Sequence, residues 1–168
     1  MTARALVAVA LGWSAAAQAG PAIGLELRAG GSASLTPGRT QGGLGAGAGV
    51  RLVFDERWLV HADVAALFAL GVVGLVRAGA GWQRPGTWSP MVRADVELGF
   101  GGSLDFSIGG RAPPHGPTLG LVASAGLLRF VTGKVTISVL ELGIGVSTDF
   151  QSVGPRFGLS LLELGIAL

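Results

Sequence analysis

The sequence has no cysteine and few charged residues, and each shortage excludes a class of function. Without cysteine the chain has no disulfides, no thiolate chemistry and no lipid-bearing N-terminal cysteine. Charged residues make up 13% of the sequence, roughly half the ~25% of an average soluble domain. The net charge is +2, or +1 without Arg4, which is too even a balance to indicate a nucleic-acid partner.

The body of the chain also lacks a long apolar run. Its longest uncharged apolar stretch covers residues 64–76, which is shorter than the ~20 residues that a membrane-spanning helix needs. Yet the sequence is 49% hydrophobic and contains 30 glycines, well above the usual glycine share of ~7%. Closed β-barrels are the other structure that satisfies every backbone group in lipid. The composition therefore favours a membrane barrel.

The clearest pattern lies in residues 91–100, MVRADVELGF. The even positions are all apolar, whereas Arg93, Asp95, Glu97 and Gly99 occupy odd positions. Alternation with a period of two predicts a β-strand with one apolar and one charged face. Because the chain repeats this pattern about eight times, we expect apolar faces against lipid and charged faces in the lumen of a barrel.

The first 19 residues predict a secretory signal peptide. Arg4 supplies the positive start, residues 5–13 the apolar region, and residues 17–19 (AQA) the small-x-small cleavage site. Cleavage would leave residues 20–168 as a single outer-membrane β-barrel domain. The alternative interpretation of the first 19 residues is a buried N-terminal helix.

The alternating segments predict an all-β, antiparallel up-and-down transmembrane barrel of eight strands, with ten strands as the alternative. The predicted strands cover 21–29, 43–54, 58–68, 72–82, 91–100, 118–130, 135–148 and 155–168. Residues 30–42 and 149–154 are interpreted as loops, and the fifth strand is expected to continue into a hairpin, 101–118, beyond the bilayer. Short turns near 56 and 133 are predicted to be periplasmic, and longer loops near 36, 113 and 151 extracellular.

Aromatic residues provide a second indication of a membrane barrel. Six of them fall in the outward phase near predicted strand ends, where two aromatic girdles are typical of membrane interfaces. These are Phe54, Trp58, Phe68, Trp82, Phe100 and Phe130. Phe157 falls in the inward phase and is an exception, and packing of aromatics in a soluble core is the alternative interpretation.

The chain resembles the small eight-stranded outer-membrane barrels of the OmpA-transmembrane-domain and OmpX type. The resemblance covers residues 20–168 and depends on the signal peptide, the alternating strands and the final FGLSLLELGIAL. It implies a monomer that is surrounded by outer-membrane lipid after delivery by the barrel-insertion machinery. The chain departs from the pattern because it ends in Leu168 rather than Phe and contains no tyrosine.

The inward positions carry nearly matched charges. Since an unpaired charge is costly in a low-dielectric lumen, matched numbers predict ion pairing and an occluded interior. Inward glycines would leave room for the long side chains, because eight strands enclose only a narrow lumen. The predicted lumen network consists of Glu26, Arg28, Arg51, His61, Asp63, Arg77, Arg93, Asp95, Glu97, Arg129, Glu141 and Glu163.

This interior predicts a structural or surface-interaction role, with a possible partner site on the 101–118 hairpin. A narrow or gated pore is the first alternative, although a selective pore needs a bias of charge along one wall. His61 and Asp63 share a face and would begin a metal site, but the sequence identifies no third ligand. No metal, cofactor or catalytic residue is therefore assigned.

A lipid-modifying enzyme at the outer rim is the second alternative. His115 lies near Ser103, Ser107, Thr118 and Asp105, the residue types of a hydrolytic site. The chain contains no G-x-S-x-G motif, and the proline and glycine around His115 favour a rigid loop over a positioned base. The sequence therefore favours a protein that is not an enzyme.

Overall fold

The structure is a computed structural model that describes residues 20–37, 39–68, 72–101 and 116–168. Each strand pairs antiparallel with the next and β8 closes on β1, which confirms the predicted eight-stranded up-and-down barrel for the described residues. The strands are β1 Ala22–Thr36, β2 Arg39–Phe54, β3 Trp58–Phe68, β4 Val72–Gln83, β5 Met91–Gly101, β6 Thr118–Thr132, β7 Val135–Thr148 and β8 Val153–Ala167. Within these ranges, no helix is long and apolar enough to cross a membrane.

The barrel wall has a polar inner face and an apolar outer face. In β5, Arg93, Asp95 and Glu97 are buried in the lumen, whereas Val92 and Val96 are 53% and 47% exposed on the outside. Large apolar side chains are exposed in the same way on all eight strands. A soluble monomer rarely exposes so extensive an apolar surface. The outer face is therefore the lipid-contacting surface of a membrane barrel.

The connections lie at two ends of the barrel. The turn end carries residues 55–57, 84–90 and 133–134, and the loop end carries the other four connections. The prediction of short turns and long loops is wrong in detail, since two residues separate β1 from β2 at the loop end while 84–90 is a long turn-end connection. The predicted signal peptide 1–19, the connection 69–71 and residues 102–115 of the predicted hairpin lie outside the described residues.

The predicted loop at 30–42 is wrong because β1 and β2 continue through it. Thr36 pairs with Arg39 at the tip of this hairpin. Ser32, Ser34 and Thr36 are buried in the lumen, whereas Leu35 is 39% exposed on the outer face. Glycine, serine and threonine commonly mark loops, but here small polar side chains fill the inward positions of a strand.

One unpaired leucine in each of β6, β7 and β8 reverses the phase of alternation. The β7–β8 pairing runs from Val139–Leu162 to Glu141–Ser160 and leaves Leu140 and Leu161 without partners. The β6–β7 pairing omits Leu127 and Leu140 in the same way. Leu140 has a φ of 57°, which is a strained value for a leucine. Because the unpaired residues lie opposite each other, the register of β6–β7 and of β7–β8 does not shift. The register shifts between β8 and β1 at Ala29/Gly30, so Leu161 forms a β-bulge against β1.

The bulge at Leu161 corrects two predictions in β8. Ahead of Leu161 the inward positions are even rather than odd, so Arg156 is buried and Phe157 is 44% exposed on the outer face. Phe157 is therefore no exception to the outward placement of aromatics. The predicted loop 149–154 is also too long, because β8 begins at Val153.

The connection 84–90 folds back against the end of β6. Ser89 N–H donates to the Arg129 carbonyl at 2.8 Å and Val131 N–H to the Thr87 carbonyl at 2.7 Å. The Trp88 indole donates to the carbonyl of Leu127 at 2.9 Å. These hydrogen bonds hold the connection against β6, where it extends the barrel wall at the turn end.

Candidate functional site: the charged lumen

The structure places all twelve residues of the predicted lumen network inside the barrel. Eleven of them are buried, and the side chain of the twelfth, Arg77, is 11% exposed. They reach the lumen because alternate residues of every strand face inward. Each strand contributes at least one charged side chain.

Glu163 on β8 lies among three arginines from three other strands. Its carboxylate accepts hydrogen bonds from Arg28 at 2.8 Å and from Arg51 at 3.0 Å. A third guanidinium, that of Arg93, lies 3.9 Å away. Removal of one partner from such a buried cluster costs about 3–5 kcal/mol, because the remaining charge stays desolvated.

His61 and Asp63 on β3 connect the next part of the network. Since a carboxylate only accepts, the His61 Nε2–H donates to Asp95 Oδ1, 2.7 Å away. On the other side, Arg77 Nε donates to Asp63 Oδ1 at 2.8 Å. The imidazole thus joins β3 to β5, while the arginine joins adjacent β4 to β3.

Two further ion pairs connect β5 to β7 and β8. Arg93 pairs with Glu141 on β7 and lies 3.1 Å from Asp95. Glu97 pairs with Arg156 on β8. These partners belong to strands that are not neighbours in the sheet, so the pairs cross the lumen.

Arg156 is the lumen residue that the sequence analysis missed. The signal that would have found it is the adjacent pair Leu161-Leu162, which interrupts strict alternation and indicates a bulge. With Arg156 included, the described lumen holds six arginines and six carboxylates, with His61 in addition. The charges of the lumen are thus matched in number.

Arg129 on β6 differs from the other lumen arginines. Its Nη1 donates to Gln83 Oε1 at 2.9 Å and to the hydroxyl and carbonyl of Ser89 at 3.0 and 3.4 Å. Among the described residues, Arg28, Arg51, Arg77, Arg93 and Arg156 have a carboxylate within 4.0 Å, but Arg129 has none. Within the described part of the lumen, Arg129 is thus the arginine whose hydrogen bonds go to neutral groups and not to a carboxylate.

Glycine is required where charged side chains cross the narrow lumen. A Cβ added to Gly79 would clash with the Asp95 carboxylate and with the carbonyl of Ala94. A Cβ added to Gly165 would lie 2.7 Å from Arg51 Nη2. These close contacts explain why inward glycines accompany the charges.

Glu26 lies close to His61 and Asp63, a grouping that the sequence alone did not predict. One ligand-type atom each from Glu26, His61 and Asp63 lies within 4.8 Å of the others, an arrangement that could hold a metal ion. However, Arg28 lies 3.7 Å from the carboxylates of both Glu26 and Asp63. Because the arginine already supplies positive charge there, we interpret the group as part of the ion-pair network.

Neutral side chains fill part of the lumen at the loop end. The hydroxyls of Ser34 and Ser147 are 2.6 Å apart, and Thr118 donates to Gln41. On the opposite wall, Leu67, Val73 and Leu75 form a small apolar cluster. Thr118 therefore serves packing inside the lumen, while the other residues of the predicted rim site, Ser103, Asp105, Ser107 and His115, lie outside the described residues.

Asp149 fastens the β7–β8 connection to the end of β1. Its carboxylate accepts from the backbone N–H groups of Gln151 and Ser152 at 3.0 and 2.7 Å and from the Thr36 hydroxyl at 3.0 Å. Burial on its own would raise the pKa of Asp149, but these hydrogen bonds outweigh it and lower the pKa to about 2.

The six predicted girdle aromatics all lie on the outer face. Phe54 pairs with Trp58, and Trp58 with Trp82, so these rings share one level at the turn end. Phe130 lies at the same end and pairs with Trp88, whereas Phe68 and Phe100 lie toward the loop end. Their function as interfacial girdles stays a prediction.

Two solved structures share this fold. The attachment invasion locus protein Ail of Yersinia pestis, solved in complex with the heparin analogue sucrose octasulfate, has a TM-score of 0.56 and 16% identity, covering 89% of this chain and 100% of that chain. Neisserial surface protein A has a TM-score of 0.54 and 12% identity, covering 87% and 97%. No protein-family model matches the chain, and no curated protein matches it in sequence.

At these identities the likeness concerns the fold. The closed eight-stranded barrel and its apolar exterior define the class of the protein. The chain is a small β-barrel of the bacterial outer membrane.

Proposed function

We propose that the protein is a closed outer-membrane barrel whose lumen serves as a structural core, and that it acts at the cell surface. The observation that carries this proposal is the set of ion pairs between strands that are not neighbours. Arg156–Glu97 joins β8 to β5 and Arg51–Glu163 joins β2 to β8. Such pairs cross the path that a solute would take.

The space between these side chains supports an occluded lumen. The cavity beside Arg28 and Arg77 has a volume of about 10 Å³, at the lower limit for one water molecule. Leu67 and Leu75 of the apolar cluster line this cavity, and the Ser34 and Ser147 hydroxyls meet 2.6 Å apart elsewhere in the lumen. So small a cavity among paired charges supports a lumen that a hydrated ion does not cross.

The surface role is supported by the shape of the wall at the loop end. β1 and β2 contain 15 and 16 residues, whereas β3 contains 11. A tilted strand crosses the membrane with about 9–11 residues. The β1–β2 hairpin is therefore long enough to extend beyond the bilayer, and it would present its rim to a partner as the 101–118 hairpin is predicted to do.

The fold comparison supports a surface role in the same way. Ail is an attachment invasion locus protein that was solved with a heparin analogue. Neisserial surface protein A carries a surface location in its name. A non-catalytic surface-interaction role is the function that these barrels suggest for the present chain.

Planar-bilayer conductance tests the occluded lumen. The refolded wild type should be silent, while Arg93→Ala should leak, because it leaves Glu141 and Asp95 without their arginine. Arg57→Ala in the exposed turn 55–57 is the matched control and should also be silent. An unboiled-gel mobility shift confirms that each variant has folded.

Steady, discrete openings of the wild-type protein would overturn the occluded lumen in favour of a pore. Equal leakage from Arg93→Ala and Arg57→Ala would show that the membrane, rather than the lumen network, controls the current.

A further inference from the structure

A cavity opens at the turn end of the barrel. Its volume is about 330 Å³, at the lower end of the range for small-molecule sites. Residues of all three turn-end connections line it, among them Glu56, Gly86 and Gly133. The segment 84–90, fixed against β6 by its backbone hydrogen bonds, forms one of its walls.

The cavity carries an excess of positive charge. Arg51, Arg129 and Lys134 line it, while Glu56 is the one acidic residue among the described lining residues. Arg51 is already paired with Glu163 and donates to Thr136 at 3.2 Å. The positive charge available to a ligand therefore comes from Arg129 and Lys134.

Arg129 is a buried cation that has no carboxylate within 4.0 Å among the described residues. It is 1% exposed, and its Nε has no hydrogen-bond partner among the described residues. Its hydrogen bonds go to the neutral groups of Gln83 and Ser89. Burial of a cation without a paired anion is costly, so an anion that reached this position would replace the missing partner.

The chemistry of the cavity fits an oxyanion. A planar guanidinium presents several N–H donors that match the oxygens of phosphate, and a lysine adds a point charge. Thr136 and Ser89 supply hydroxyls on the same lining. We propose that this turn-end cavity binds a small phosphate-bearing anion through Arg129 and Lys134.

The phosphate has two possible sources, a free phosphate compound or the headgroup of a phospholipid in the adjoining leaflet. Isothermal titration of the full chain, refolded in octyl glucoside, with inorganic phosphate tests the first source. Titration with dihexanoyl-phosphatidylglycerol below its micelle concentration tests the second. Saturable binding of either probe supports the cavity, and the tighter probe identifies the source.

The variants assign the binding to named residues. Arg129→Gln should weaken binding at least tenfold, because it removes the unpaired guanidinium. Lys134→Gln changes an exposed turn residue that should not disturb folding, and it should weaken binding severalfold. Arg57→Gln removes an exposed charge that does not line the cavity and should bind as the wild type does.

Two results would overturn the proposal. One is the absence of saturable heat with both probes for a wild-type protein that shows the folded gel mobility. The other is binding that Lys134→Gln and Arg129→Gln leave unchanged. The conductance of the lumen is a separate measurement, so failure of this site leaves the occluded core to be judged on its own test.

Discussion

The two sides of the barrel wall are built differently. From β3 to β5 the strands contain 11 or 12 residues and pair without a break. From β6 to β8 they contain 14 or 15 residues, and each reverses its alternation at one unpaired leucine. The difference teaches that the direction of a lumen side chain depends on these unpaired residues as well as on strict alternation.

The largest effect should follow deletion of Leu161, which removes the bulge of β8. The strand would then turn either Arg156 or Glu163 toward lipid, because one residue reverses the phase. A basic side chain on the lipid face costs up to about 2–4 kcal/mol, and its lumen partner loses its ion pair at about 3–5 kcal/mol. We expect no folded band in an unboiled-gel mobility assay.

Deletion of Gln151, an exposed residue of the connection 149–152, is the control for the loss of one residue. This variant should fold. If the Leu161 deletion folds as readily, the bulge does not control the direction of Arg156.

An effect of intermediate size on the free energy of unfolding is expected for the regular strands β3 to β5. Gly79→Ala places a methyl group against the Asp95 carboxylate and the Ala94 carbonyl, so it should lower the free energy of unfolding by about 1–3 kcal/mol. Gly74→Ala on the same strand meets nothing within 4 Å and should change it by less than about 0.5 kcal/mol. Denaturant unfolding of the refolded barrels measures both values, and equal values would refute the close packing.

The smallest effect concerns Asp149, which holds the β7–β8 connection against the end of β1 at the loop end. Its pKa in the folded protein is lowered to about 2, so its contribution to stability is present above the unfolded pKa of about 3.9. The contribution is lost as the pH falls from there toward 2. The stability difference between wild type and Asp149→Asn should shrink over this range.

Asp55→Asn in the exposed turn 55–57 serves as the control for the acid titration. A difference between wild type and Asp149→Asn that stays constant from pH 6 to pH 2 would contradict the lowered pKa.

The sequence predicts the regular strands β3 to β5 well, because apolar and polar residues alternate strictly there and face lipid and lumen in turn. Met91 to Phe100 shows which residues face lipid without any knowledge of neighbouring strands. The β1–β2 hairpin was harder to predict, because the serines and threonines at its inward positions are residue types that also mark loops. In β8, the extra residue Leu161 reverses the alternation, so a strictly alternating pattern does not place Arg156 in the lumen.

The partners within the lumen could not be predicted from sequence. Glu26 meets His61 and Asp63 although they lie on strands that are not neighbours. Such meetings depend on the tilt and stagger of the closed barrel, which no local pattern contains. The hydrogen bonds of Arg129 to Ser89 depend likewise on the way that the connection 84–90 folds back.

The lumen-crossing pairs also bear on assembly. Glu163 and Arg156 arrive on the last strand, yet their partners Arg28, Arg51 and Glu97 lie on β1, β2 and β5. Until β8 joins β1, these earlier side chains lack their closest charge partners, and an open sheet in lipid also leaves its edge groups without hydrogen bonds. Closure of the barrel gives the charged side chains their partners and the strand edges their hydrogen bonds at the same time. Half-closed sheets should therefore be scarce, and the barrel should form in one cooperative step.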